Sequence, residues 1–125
     1  MCVKVFLADD AEIMRKAIRT LLSTREDIAV IGEASDFRET IQKTAELHPD
    51  LIVFDVHLAD QNHITPTEVK SLANGAKVLA ISFATDEHTK ELLDSIGAAK
   101  FLDKMVLADE LIPAILELAA SSRPS

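Results

Sequence analysis

The sequence predicts an α/β fold in which five short strands alternate with five helices and pair as one parallel sheet. Two observations carry this. Short apolar runs recur at residues 3–8, 28–34, 51–54, 77–81 and 99–103, and the stretches between them place apolar residues at three- and four-residue spacing. Four of the runs also lead into reactive polar residues: Asp9-Asp10, Asp55, Ser82 and Lys104. Ligand sites of open α/β sheets lie at the carboxyl ends of the strands, so these residues predict one shared edge. A chain of 125 residues, 48% hydrophobic and 27% charged, is one globular domain with a core of its own.

In the first strand Val3, Val5 and Leu7 share one face. Met14, Ala17, Ile18, Leu21 and Leu22 then define the inner face of a first helix. After the second strand, Asp36 is placed to cap a helix, with Glu39 three residues on completing a capping box. Phe37, Ile41, Ala45 and His48 read as the inner face of that helix. His48-Pro49 ends it, because the residue before a proline avoids the helical region. The strand at 51–54 is apolar on both faces, as a central parallel strand should be.

Residues 55–65 read as a polar loop. Thr65, Pro66 and Glu68 start a short third helix that Asn74-Gly75 ends. The strand at 77–81 leads to a helix at 86–96 with Leu92, Leu93 and Ile96 inward and Gly97 as its stop. The last helix, 107–120, turns Leu111, Ile112, Ile115, Leu116 and Ala119 inward. Pro113 lies in its first two turns and is expected to shift its start or bend it. Residues 1–120 form the domain, and 121–125 read as a polar tail or the start of a linker.

A net charge of −8 repels phosphate backbones, so direct nucleic-acid binding by this domain is not expected. The single cysteine, Cys2, forms no internal disulfide, which suits a reducing compartment. No signal peptide and no apolar run of membrane-spanning length is read, so the expectation is a cytoplasmic domain without a membrane partner.

With right-handed crossovers and strand order 2-1-3-4-5, strands one and three meet at the switch point. Asp9, Asp10 and Asp55 then share a crevice. Carboxylates this close repel one another, and a cation neutralises them. A cluster of hard oxygens suits Mg²⁺, and no cysteine or histidine pair stands at zinc-ligand spacing. Asp55 ends the central strand and is the candidate nucleophile toward phosphorus. Lys104 would offset the incoming charge, and Ser82 would donate to a phosphoryl oxygen. Singly, each has a plain role as a helix cap, a turn residue or a solvated charge. The set of four strand ends points to phosphoryl chemistry.

Phe6-Leu7-Ala8-Asp9-Asp10, Asp55 after Leu51-Ile52-Val53-Phe54, Ser82 after Val78-Leu79-Ala80-Ile81, and Phe101-Leu102-Asp103-Lys104 together resemble the receiver domain of two-component response regulators. The resemblance covers essentially the whole chain. Residues 14–22 and 30–35 look most like the NarL/LuxR-type subgroup, whose members usually carry a C-terminal helix-turn-helix. The resemblance implies a flavodoxin-like (βα)5 three-layer sandwich whose Asp55 is phosphorylated, with Mg²⁺, by a histidine kinase or a small acyl phosphate. Asp9, Asp10, Asp55 and the backbone carbonyl of His57 would hold the Mg²⁺. Ser82 and Lys104 would contact the phosphoryl group, and Phe101 would turn inward as Ser82 moves. The surface of the predicted fourth helix, the fifth strand and the last helix would then change partners or form a homodimer. The output would be a DNA-binding domain beyond this chain or a separate protein. On this reading the domain catalyses only its own phosphorylation and dephosphorylation.

Four places depart from the family pattern. Ala59-Asp60 stands where proline and glycine are usual, and Asn62-His63 where an acidic residue and glycine are usual. Met105 follows Lys104 where many receivers have a cis proline, so a trans bond is expected. Phe83 stands where a small residue is common, and its ring is expected to slow phosphorylation, dephosphorylation or both. Three other readings stay open: a non-phosphorylated pseudo-receiver serving as an interaction module, a metal-dependent phosphatase or hydrolase, and a flavodoxin-like cofactor binder. The short connections leave little room for a hydrolase cap, and no phosphate-cradling loop follows strand one.

Overall fold

The computed structural model describes residues 2–61, 76–83 and 98–121. Five parallel strands form one sheet in the order β2-β1-β3-β4-β5, as the alternation predicts. They are β1 (Val3–Ala8), β2 (Ile28–Ala34), β3 (Leu51–Asp55), β4 (Lys77–Ser82) and β5 (Lys100–Asp103). The described helices are α1 (Glu12–Leu22), α2 (Phe37–Leu47), α3 (Val56–Gln61) and α4 (Leu107–Ser121), the last entered through a 3₁₀ turn, Lys104–Val106. The helices predicted at 65–74 and 86–96, with Asn62-His63, lie outside the described residues.

Strand alternation divides the core between the two faces of the sheet. Val5, Leu7, Leu51, Val53, Leu79, Ile81 and Leu102 pack with Ile18 and Leu22 of α1 and with Leu111, Ala114, Ile115 and Leu118 of α4. Phe6, Ala8, Ile52, Phe54 and Val78 pack on the other face with Phe37 of α2 and Leu58 of α3. Every residue of β3 is buried, as its central place and doubly apolar sequence require. Asp50 aligns the start of β3 with β1: Lys4 N–H donates to Asp50 Oδ2 at 2.8 Å, and Asp50 N–H donates to the Lys4 carbonyl at 2.8 Å.

The register between β1 and β2 slips after Val5, so that Phe6 faces Gly32. A Cβ on Gly32 would stand 2.9 Å from Phe6 Cε2 and 2.7 Å from Leu47 Cδ1, and glycine is what lets α2 and Phe6 close over this strand.

Besides Ala17, which is exposed on α1 where an inward place was expected, three local expectations are corrected. The inner face of α2 is Phe37, Thr40 and Thr44, whereas Ile41, Ala45 and His48 are exposed. Both threonines can be buried because their hydroxyls donate to backbone carbonyls four residues back, those of Asp36 and Thr40, at 2.7 Å. The Asp36 cap itself holds: Glu39 N–H donates to Asp36 Oδ1 at 2.7 Å, and Glu39 Oε1 accepts from Ser35 N–H at 3.1 Å. His48, at φ 50 and ψ 60, ends the helix in the left-handed region.

The second correction is the segment after Asp55, read as a loop to residue 65, which enters α3 at Val56. Leu58 is buried in that helix, and Ala59-Asp60 continues it where proline and glycine would have stopped it. The third concerns the last helix. It starts at Leu107 as read and runs on to Ser121 with Pro113 inside it, and Ala114 and Leu118 join its buried face.

Candidate functional site

Ala8 pairs with Phe54 across β1 and β3, so Asp9 and Asp55 leave the sheet side by side at its carboxyl edge. They continue the faces of Leu7 and Val53, on the side covered by α1 and α4. Both are buried, whereas Asp10, one residue on, is exposed. Carboxylate oxygens of Asp9, Asp10 and Asp55 lie within 4.8 Å of one another.

Lys104 reaches the pair from the end of β5. Asp103 closes the 3₁₀ turn that carries it, accepting from Met105 N–H at 2.9 Å. The lysine side chain is nearly buried, and Nζ stands 2.8 Å from Asp9 Oδ2 and 3.3 Å from Asp55 Oδ2. The contact with Asp9 has the distance of an ion pair but not the alignment of a hydrogen bond. Asp9 Oδ2 is thus a buried oxygen with no hydrogen bond among the described residues. Such an atom is costly unless something satisfies it. Three carboxylates, one of them with a buried oxygen that accepts no hydrogen bond, are a donor set that fits a hard divalent cation.

Burial, and next to it the Asp9 carboxylate, push Asp55 above the ordinary carboxylate pKa. The Lys104 ammonium and the His57 N–H oppose that rise. His57 N–H donates to Asp55 Oδ1 at 3.0 Å from the first turn of α3. An α-helical carbonyl points toward the following turn, so ligation by the His57 carbonyl requires this turn to open.

Ser82 is buried at the end of β4, one step beyond Ile81, the partner of Asp55. Phe101 lies half-buried on β5, opposite Ala80. Phe83 is 60% exposed, and its ring centroid stands 5.3 Å from Lys104 Nζ, within cation–π range. Asp9, Asp10, Asp55 and Lys104 therefore meet as the sequence predicts, with Ser82 on the adjoining strand end.

Sequence reasoning does not single out Arg15. Its Nη1 donates to the Asp9 carbonyl at 2.6 Å, and its Nε donates to Glu33 Oε1 at 3.0 Å. Arg19 binds the other oxygen of Glu33. The available signal was two arginines one helical turn apart, beside a strand bearing a glutamate on its rim-proximal half.

A doubly wound parallel sheet with an acidic trio and a lysine at its switch point is the architecture of a signal-receiver module. The chain belongs to the response regulator receiver domain family, which it matches over residues 5–116. It is 36% identical over 117 residues to the response regulator protein VraR of Staphylococcus saprophyticus, covering 92% of this chain and 56% of that protein. The chain thus spans about half the length of the curated relatives it matches. A LuxR-family two-component response regulator from Aurantimonas sp. SI85-9A1 superposes with a TM-score of 0.84 at 25% identity, over 98% of this chain and 89% of that one. The receiver domain of the putative response regulator NarL from Mycobacterium tuberculosis gives 0.82 at 26%, over 98% of each chain. The NarL/LuxR-type likeness of the sequence extends to the structure.

Proposed function

We propose that this receiver domain is a phosphoryl-accepting switch, with Asp55 as the acceptor and a histidine kinase or small acyl phosphate as the donor. The observation that carries the reading is the buried meeting of Asp9, Asp55 and Lys104 beside exposed Asp10. An Asp55 carboxylate oxygen forms the bond to phosphorus as the bond to the donor's imidazole nitrogen or acyl oxygen breaks, and the leaving group keeps that electron pair. Asp9, Asp10 and Asp55 would hold Mg²⁺, joined by the His57 carbonyl once the first turn of α3 opens. Bound there, Mg²⁺ would supply charge neutralisation for a phosphoryl group.

Lys104 already sits between two carboxylates, so its ammonium is in place to follow the charge to a phosphoryl oxygen. Ser82, from β4, donates to another oxygen, and Phe101, half-buried on the next strand, takes the space that Ser82 leaves. The new charge then biases the surface of β5, α4 and the predicted 86–96 helix between two states, which changes partners or forms a homodimer. On the NarL/LuxR-type resemblance, the output is transcriptional control, through a DNA-binding domain outside this chain or through a separate protein, in the cytoplasm. Among the described residues no helix is long and apolar enough to cross a membrane.

Intact mass after incubation with an acyl phosphate and Mg²⁺ tests the proposal. The expected result is a gain of one phosphoryl group, absent without Mg²⁺ and absent in Asp55→Asn. One observation favours the pseudo-receiver reading: α3 begins directly after Asp55 and leaves the His57 carbonyl inside a helical turn. Lack of any mass gain, together with failure to bind a beryllium fluoride phosphate mimic, would decide for that reading.

A further inference from the structure

Asp9 has four polar atoms, and three are tied down. Its N–H donates to the Ala34 carbonyl at 3.1 Å, its Oδ1 accepts from Ala11 N–H at 2.9 Å, and its carbonyl accepts from Arg15 Nη1 at 2.6 Å. The fourth, Oδ2, is the buried oxygen without a hydrogen bond. The first two bonds fix the residue to β2 and to the turn that enters α1. The third is the one made by a side chain from another element, and it is charge-assisted and short.

Arg15 is itself held. Glu33 on β2 receives its Nε at 3.0 Å, and Arg19, one turn along α1, engages the second Glu33 oxygen. The Arg15 side chain is 15% exposed, and its guanidinium cannot swing into solvent without giving up both bonds. We propose that Arg15 is a positioning residue of the cation site: it fixes the Asp9–Asp10 peptide plane and, through it, the direction in which both carboxylates are presented. The inference rests on the reading of Asp9, Asp10 and Asp55 as that site. Asp10 depends on it most, because its side chain is exposed and its placement follows its backbone. Glu33 serves the arrangement twice, as the anchor of the guanidinium and as the anion that offsets its charge near a cation.

Charge and position predict opposite signs, which makes the role testable. Removing a nearby cation should tighten the binding of a dication if only Coulomb forces act. Loss of a positioning contact should weaken it, and partners that orient metal ligands are worth roughly 10–100-fold in affinity. The experiment is calorimetric titration of Mg²⁺ alone into the parent and Arg15→Gln, with circular dichroism to confirm folding. The expected result is Mg²⁺ binding about 10-fold weaker in Arg15→Gln. The acyl-phosphate mass gain should return to the parent extent once Mg²⁺ is raised to saturate the variant. Unchanged or tighter Mg²⁺ binding overturns the role. If Arg15→Gln does not fold, Arg15→Lys replaces it. That variant keeps the charge but cannot span Asp9 and Glu33 with one fork, and severalfold weaker binding supports the role while parent affinity overturns it. A parent that binds no Mg²⁺ overturns the cation site itself, and this role with it.

Discussion

Asp55 lies between an anion it repels and a cation it attracts, and burial decides the balance by raising its pKa. The folded protein therefore holds this proton more tightly than the unfolded chain does. The stability that follows is fully present below the ordinary carboxylate value and is lost as pH rises through the raised one. In EDTA, Asp55→Asn should remove that loss. The variant should melt with the parent near about pH 4 and a few degrees above it at neutral pH, read by thermal denaturation across the range. A variant that melts below the parent at neutral pH would mean that the Lys104 contact outweighs burial. Gly32 gives a second residue-scale prediction of the opposite sign. In Gly32→Ala the flexible tip of Leu47 can move aside, but Phe6 is fully buried and cannot. The expected loss is about 1–3 kcal/mol in urea denaturation. Leu47→Ala in the same chain should recover little of it.

At the scale of elements, α2 and α3 show where the sequence is a poor guide. The apolar spacing of Phe37, Ile41 and Ala45 points to one helix face, yet Thr40 and Thr44 take the core side. A hydropathy pattern counts threonine as polar and is blind to a hydroxyl satisfied by its own helix. The helix α3 follows from residues that lack a breaker rather than from any positive signal, and a polar run without a breaker is easily taken for a loop. That helix bears on the site because it encloses the His57 carbonyl. Ala59→Pro with Asp60→Gly should open its first turns, since proline at 59 removes the N–H that would bond the Asp55 carbonyl and crowds that carbonyl. The expected outcome is faster amide exchange over residues 56–61 together with tighter Mg²⁺ binding in calorimetry. Unchanged Mg²⁺ affinity would show that the carbonyl contributes nothing to the site.

For the molecule as a whole, the sheet was the most legible feature, because burial on both faces writes strands such as Leu51–Asp55 as unbroken apolar runs. The reactive rim was legible for the same reason: a polar residue that ends such a run is conspicuous, as Asp9, Asp55, Ser82 and Lys104 all are. Arg15 was not, because a charged residue on an amphipathic helix is what solvent alone would select. Global charge then sets the last prediction. At −8 the chain repels itself, and any salt relieves that repulsion by screening. On the proposed function, a cation held by Asp9, Asp10 and Asp55 would add a further term, because it would bind the folded state and not the unfolded chain. At ten times its Kd it contributes roughly 1.4 kcal/mol. Mg²⁺ should therefore raise the melting temperature above that in NaCl of equal ionic strength, and the excess should vanish in Asp10→Asn/Asp55→Asn. If Mg²⁺ and NaCl gave equal shifts, the stabilisation would be screening alone, and the three carboxylates would be an acidic rim and not a metal centre.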